Sequence, residues 1–320
     1  MRAEQYLAPE TIGQLGNFEL RARMVVEGVM SGMHRSPYQG LAVEFAEHRQ
    51  YVPGDDPRHI DWKVFGRSDK LHLKQYQQET NLDIVLLVDS SASMRFGTLP
   101  IKGGWGGTQA GTPNTNWTKY DHATAMASAM GYLCLQQRDR VGVTVFSDGV
   151  RSQVKRSNAK DTWRTLVRTL ATEPVDEPTD LQKTIDQVLA TITNRSLFII
   201  ISDLLMPTDQ VQAALARFRH RRHDVILTQV LDREEMRFNI DEPAPFVGLE
   251  GEPKITVDPR TVRESYLSAM REHCSKIEHS ARSLGYDYLR VDSHESVGPP
   301  LAALFARRVA MGRGGKGGGR

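Results

Sequence analysis

From residue 82 onward the chain alternates short apolar runs with helix-length stretches, and that alternation constrains the fold more than any other feature. LDIVLLVD (82–89), SLFIIIS (196–202) and DVILTQVL (224–231) are nearly continuous and rich in β-branched residues. A strand with one wet face would alternate with polar residues; these read as strands buried on both faces. Between them lie patterns that predict helices over 119–137, 160–171, 179–193, a segment opened by Pro207, and 258–284. RVGVTVFS (140–147) predicts a further strand, turned at Asp148-Gly149 into a short edge strand, VRSQVK. The strand YDYLRV (286–291) and a last helix (298–309) close the series. The fold class this predicts is α/β, with a doubly wound, mostly parallel sheet.

Residues 1–80 have a different character. A loose 3.6-residue stripe predicts a helix over 10–35, and LAVEFAEHRQY (41–51) and LHLKQYQ (71–77) alternate as strands. Between them Pro53-Gly54 marks a turn, and Asp56-Pro57 an N-cap followed by proline at the first helical position. We expect a small N-terminal module of helix plus antiparallel strands over 1–80. The α/β domain then spans 81–311, with a glycine-rich flexible insertion at 97–118 and a glycine-rich disordered tail at 312–320.

Composition excludes several classes. Lys+Arg at 41 against Asp+Glu at 39 leaves a formal charge of +2, which argues against a chain built to coat nucleic acid. Two cysteines, Cys134 and Cys274, both in predicted helices, make neither a disulfide framework nor a thiolate zinc site. Apolar runs such as Ile84 to Val88 are far shorter than the roughly 20 residues a membrane helix needs. The opening MRAEQYLAPE has charges where a signal peptide is apolar. We expect a cytoplasmic protein with no membrane span.

In open α/β sheets ligands bind at the carboxyl ends of the strands. Standing there are Asp89, Ser91 and Ser93 after the first strand, Thr179 before the helix at 181, and Asp203 after 196–202. Two carboxylates and three hydroxyls form a hard-oxygen set suited to Mg²⁺ or Mn²⁺. Neutral hydroxyls donate little charge, so a bound cation stays electrophilic and can accept a carboxylate from a partner. Hydrolysis needs a placed general base as well, and no His adjoins the five residues in sequence, although His122 and Asp148 are candidates in space.

The Asp-x-Ser-x-Ser pattern with a distant Thr and a distant Asp resembles the metal-ion-dependent adhesion site of von Willebrand factor A domains. A second stretch, RQYVPGDDPRHIDW (49–62), resembles the R-x-Y-x-P-G-D-D-x-R-x-I-D-W signature of the domain-of-unknown-function 58 family. In that family the signature stands just upstream of a von Willebrand A-like domain, the order found here. The two matches cover roughly residues 25–205. The resemblance implies a von Willebrand A-like, Rossmann-like sheet and a metal site of Asp89, Ser91, Ser93, Thr179 and Asp203. It also implies a protein partner reached through the metal: a MoxR-type AAA+ ATPase, or the client that ATPase helps to mature. The function expected is therefore a non-enzymatic, metal-dependent protein-binding module acting as adaptor or co-chaperone. A metal-dependent hydrolase of phosphate esters is the rival.

The remaining features have structural readings. Asp55, Asp56 and Asp61 are expected to cap and pair within the signature rather than to form a second cation site, with Trp62 as a buried anchor. Arg217, Arg219, Arg221 and Arg222 are expected to complement a helix C-terminus rather than to bind nucleic acid. The GGWGG segment contains no GxxxxGK, so no nucleotide is expected.

Overall fold

Among the described residues six strands form the central sheet, in the order β12 (Asp287–Asp292), β9 (Asp224–Leu231), β8 (Leu197–Ser202), β3 (Asp83–Asp89), β6 (Arg140–Phe146), β7 (Val150–Ser157). All neighbours run parallel except β6 and β7. The computed structural model of the chain describes residues 22–27, 48–52, 62–68, 70–74, 82–100, 116–172, 174–242, 244–249 and 254–301. Most of the predicted helix over 10–35, the signature residues 53–61, residues 101–115 of the insertion, the end of the last helix and the tail 312–320 lie outside them. The described residues fall into two compact units. One is drawn from Ser36–Asn81, the other from Met1–Arg35 together with Leu82–Arg320.

In the smaller unit, β1 (His48–Gln50) pairs antiparallel with β2 (His72–Lys74), and α1 (Trp62–Ser68) lies between them in sequence. The two strands and the short helix stand where the sequence predicts them, but residues 22–27 of the predicted 10–35 helix belong to the larger unit, because Ala22, Val25 and Val26 pack into its core. The expectation for Trp62 fails: the residue is 63% exposed, and its ring meets Phe65 edge to face. It opens a short helix, and at that position the indole faces outward rather than into a core.

In the larger unit, β3 (Asp83–Asp89) is followed by a 3₁₀ turn (Ala92–Arg95) and a short antiparallel ribbon, β4 (Leu99–Pro100) with β5 (Asn116–Trp117). The chain then builds α2 (Lys119–Gln136), β6 (Arg140–Phe146), β7 (Val150–Ser157), α3 (Thr162–Leu170) and α4 (Leu181–Ala190). Next come β8 (Leu197–Ser202), α5 (Thr208–His220), β9 (Asp224–Leu231) and α6 (Arg233–Arg237). A hairpin of β10 (Ala244–Phe246) and β11 (Ile255–Val257), α7 (Pro259–Ser283) and β12 (Asp287–Asp292) complete it.

The period-2 geometry of β3 divides its side chains between two cores. Ile84, Leu86 and Val88 pack with α2, α3 and residues 22–27, while Val85 and Leu87 pack with α4, α5 and α7. Both faces of the sheet are therefore covered, as a doubly wound fold requires. α2, where the sequence predicts a helix over 119–137, has no wet face over most of its length. It is buried almost all round, from Lys119 to Cys134, because residues 22–27 contribute Ala22, Val25 and Val26 to the same core. Both cysteines are buried thiols.

Two members of the basic cluster, Arg219 and Arg221, serve the ends of neighbouring helices. Arg219 donates to the carbonyl of Leu284 at the C-terminus of α7 (2.6 Å), Arg221 to that of Leu189 in α4 (3.4 Å), and Arg217 pairs with Asp186 (2.8 Å). Carbonyls in the last turns of two helices thus receive cationic donors from a neighbouring helix.

The strand order sets the position of any ligand. From β3 the chain moves outward to β6 and β7, then returns to the other side of β3 for β8, β9 and β12. The connections leaving β3 and β8 therefore diverge to opposite faces. The crevice between their carboxyl ends is the topological switch point, where open α/β sheets bind ligands.

Candidate functional site

The last residue of β3 is Asp89, and the last of β8 is Ser202, one residue before Asp203. Asp89 is fully buried and surrounded by donors. The Ser202 hydroxyl donates to its Oδ2 at 2.6 Å, and the Ser91 amide to its Oδ1 at 2.9 Å. The Thr179 hydroxyl lies 3.2 Å from Oδ2 and 3.4 Å from Oδ1. Ser91 and Ser93 hydroxyls stand 3.2 Å apart on the 3₁₀ turn. Asp89 and Ser91 are buried, whereas Ser93 and Thr179 are half-buried, so the cluster reaches the surface on their side.

Three backbone bonds hold Thr179 there. The Ala92 amide donates to the Glu177 carbonyl (3.0 Å), that of Val175 to Ser90 (2.9 Å), and that of Asp180 to Ser147 (2.9 Å). Residues 174–180 are thus sewn to the loops after β3 and β6. Asp180 caps α4 by accepting from the Lys183 amide at 2.8 Å.

Asp203 is placed differently from the expectation of a simple ligand. Its Oδ1 accepts from the Leu205 amide (3.2 Å), and its Oδ2 from the ammonium of Lys119 (2.7 Å). Leu204 between them has φ of 55°, the left-handed region, rare for a bulky residue, and its side chain is buried. Lys119 is itself fully buried and donates a second bond to Glu235 Oε1 at 2.6 Å. A capping box of Thr118 and Asp121 starts α2 so that Lys119 is its first residue. A cation at a helix N-terminus opposes the helix dipole, and two carboxylates offset that cost. Burial works against the charge of Lys119, but Asp203 and then Glu235 outweigh it and raise its pKa above the usual lysine value.

The two aspartates feel each other. Burial first, and the charge of Asp203 second, push Asp89 up to about 7, against the opposing hydrogen bonds from Ser202 and Ser91. A positive charge at this point would relieve both effects. The four oxygens of Asp89, Ser91, Ser93 and Thr179 suit a small hard divalent cation such as Mg²⁺ or Mn²⁺. Asp203, with both oxygens engaged, supplies charge beside them. Among the described residues no group of three or more His, Cys, Asp or Glu is placed to hold a metal ion, so the fit depends on the hydroxyls.

The model of the family described as Protein of unknown function DUF58 matches residues 47–276, well over half of the chain. The chain belongs to that family. The match takes in the PGDD signature and most of the α/β domain. Curated relatives of this DUF58 chain include the uncharacterized proteins Mb1516 of Mycobacterium bovis and Rv1480 of Mycobacterium tuberculosis. Each is 27% identical over 284 residues, covering 87% of this chain and 83% of the relative. Among solved structures it is similar to BatB from Bacteroides thetaiotaomicron (15% identity, TM-score 0.44, 72% of this chain and 99% of that one). It is also similar to the SpRpn10 VWA domain (8% identity, TM-score 0.38, 70% and 94%). The fold described above is defined by this chain's own strand order, not by those distant likenesses. Among the described residues no helix is long and apolar enough to cross a membrane.

Three residues of the DUF58 site escape the sequence pattern: Lys119, Glu235 and Ser202. Only Ser202 carries a signal, as the hydroxyl neighbour of Asp203 at a strand end. The two candidate bases are engaged elsewhere. Nδ1 of His122 accepts from the Trp117 indole (3.3 Å), and burial holds its pKa down to about 4. Asp148 pairs with Lys183 at 3.3 Å.

Proposed function

We propose that this DUF58 chain is a non-enzymatic, divalent-cation-dependent protein-binding module, working as an adaptor with a MoxR-type AAA+ ATPase in the maturation of protein complexes. One observation carries the reading: Asp89, Ser91, Ser93 and Thr179 converge at the switch point, with Asp203 beside them. Mg²⁺ or Mn²⁺ there would have few charged donors and an open side toward solvent near Ser93 and Thr179. The ion would then supply an electrophilic point for a partner's carboxylate. His122 and Asp148, the two candidate bases, are engaged with Trp117 and Lys183, which supports binding over turnover. The ATPase is the partner that the sequence resemblance implies.

Calorimetric titration with Mn²⁺ tests the site. Asp89→Ala and Ser91→Ala are expected to abolish binding while the circular dichroism spectrum stays that of the wild type. Unchanged affinity in both variants would overturn the assignment. A pull-down of the purified ATPase, with and without chelator, tests the partner. Mn²⁺-dependent cleavage of a generic phosphate ester, lost in Asp89→Ala, would replace this reading with the hydrolase.

A further inference from the structure

Lys119 is the buried charge that the reading above leaves without a role. Its ammonium is fully enclosed, 2.7 Å from Asp203 Oδ2 and 2.6 Å from Glu235 Oε1, with the ring of Phe96 at 5.8 Å. Glu235 in turn accepts from the Asp232 amide through Oε2 at 2.8 Å. Breaking a buried ion pair by removing one partner is costly, yet such pairs add little net stability over a well-packed apolar core. Anchoring α2 does not need one, since its capping box already fixes its start. The charge itself is the more informative feature.

Asp89, Asp203 and Glu235 bring three negative charges to the switch point when ionised, and Lys119 returns one positive charge. A divalent cation would then bring the cluster to neutrality. Without the ammonium the loaded cluster would stay anionic and would repel an acidic partner group. The ammonium also holds Asp203 Oδ2, an oxygen the cation would otherwise draw on.

We propose that Lys119 is a resident counter-cation. It competes with the divalent ion for Asp203, holds the site's cation affinity down, and keeps the loaded site neutral so that an acidic group of a protein partner can approach. This rests on the cation-binding reading above and adds the residue that tunes it. Lys119 acts through Asp203 and is a positioning residue.

The test is a charge-compensated cycle with Mn²⁺ alone as probe, titrated calorimetrically at one fixed pH above neutrality. Lys119→Met is expected to bind Mn²⁺ at least tenfold more tightly than wild type, about 1.4 kcal/mol. Glu235→Gln is expected to bind it several-fold more weakly. The double variant restores the wild-type charge and is expected to fall within about threefold of wild-type affinity. A purely structural lysine predicts no such return. If Lys119→Met does not fold, Glu235→Gln and the double variant carry the test. Unchanged affinity in Glu235→Gln, or a double variant that departs from wild type as far as a single one, overturns the proposal, as does a folded Lys119→Met that binds no more tightly. If wild type binds no Mn²⁺ but Lys119→Met does, the adaptor reading fails and the role of Lys119 stands. If none of the four proteins binds, both are overturned.

Discussion

The Ser202 hydroxyl donates to Asp89 Oδ2 at 2.6 Å across a sequence separation of 113 residues, and accepts from the Leu204 amide at 3.0 Å. One small side chain thus ties the end of β8 to the end of β3 and starts the turn that carries Asp203. Ser202→Ala removes a bond to a buried carboxyl group and leaves the Leu204 amide without that acceptor. We expect a loss of about 1–3 kcal/mol in urea unfolding, with weaker Mn²⁺ binding. A stability equal to wild type would show that the pair does not fasten the switch point.

His122 makes stability depend on pH. It is buried and its folded pKa lies near 4, mainly from burial, whereas the unfolded chain titrates near 6.5. The unfolded state therefore binds more protons as pH falls. The contribution is complete above about pH 6.5 and is lost progressively as pH drops toward 4, by about 2 kcal/mol at pH 5. Urea midpoints at pH 7.5 and 5 should differ by less in His122→Gln than in wild type. Equal pH dependence in the two proteins would contradict this.

Asp232 is a buried junction. Its carboxylate accepts from the Thr98 amide (3.0 Å) and hydroxyl (2.6 Å), the Glu234 amide (2.9 Å) and the Ser293 hydroxyl (3.1 Å), with His294 Nε2 at 3.1 Å. Asp232→Ala leaves these groups without that acceptor. Destabilisation of at least about 3 kcal/mol is expected in a urea titration, and a cost below 1 kcal/mol would mean the groups find other partners.

Gly97 sits where only hydrogen fits. A Cβ there would lie 2.0 Å from the Trp117 carbonyl oxygen and 2.6 Å from Thr118 Cα, both backbone atoms. Gly97→Ala must push the β4–β5 ribbon apart, at a cost of about 1–3 kcal/mol. Thermal unfolding at the wild-type temperature would show that the ribbon yields freely.

Trp62 makes the opposite prediction. An indole 63% exposed buries little area, so Trp62→Ala should shift stability by no more than about 0.5 kcal/mol. A loss of 3 kcal/mol would require a buried ring.

Long apolar strands were legible because burial on both faces leaves no polar position in them. Ile84–Val88 and Phe198–Ile201 declare themselves in that way. The Asp89-x-Ser91-x-Ser93 spacing was legible because it follows such a strand directly, and its local geometry depends on near neighbours. Lys119 was not legible. Its partners lie 84 and 116 residues away, and a lysine in TKYDHAT carries no local mark of burial. Trp62 misled for a related reason. Its size argues for a core, but whether a core stands next to it depends on packing that HIDW does not encode.

At one edge of the sheet, β7 carries Arg151, Lys155 and Arg156, and at the other β12 carries an exposed Arg290. An edge strand is an open template for further strands, and aggregation follows when it is flat and apolar. Lys155 is exposed there, while Arg151 and Arg156 bond inward to Ser90 and Asp83, so two copies meeting along β7 would have to dehydrate the ammonium of Lys155. Charge at both edges thus disfavours pairing of the sheet with a second copy of itself.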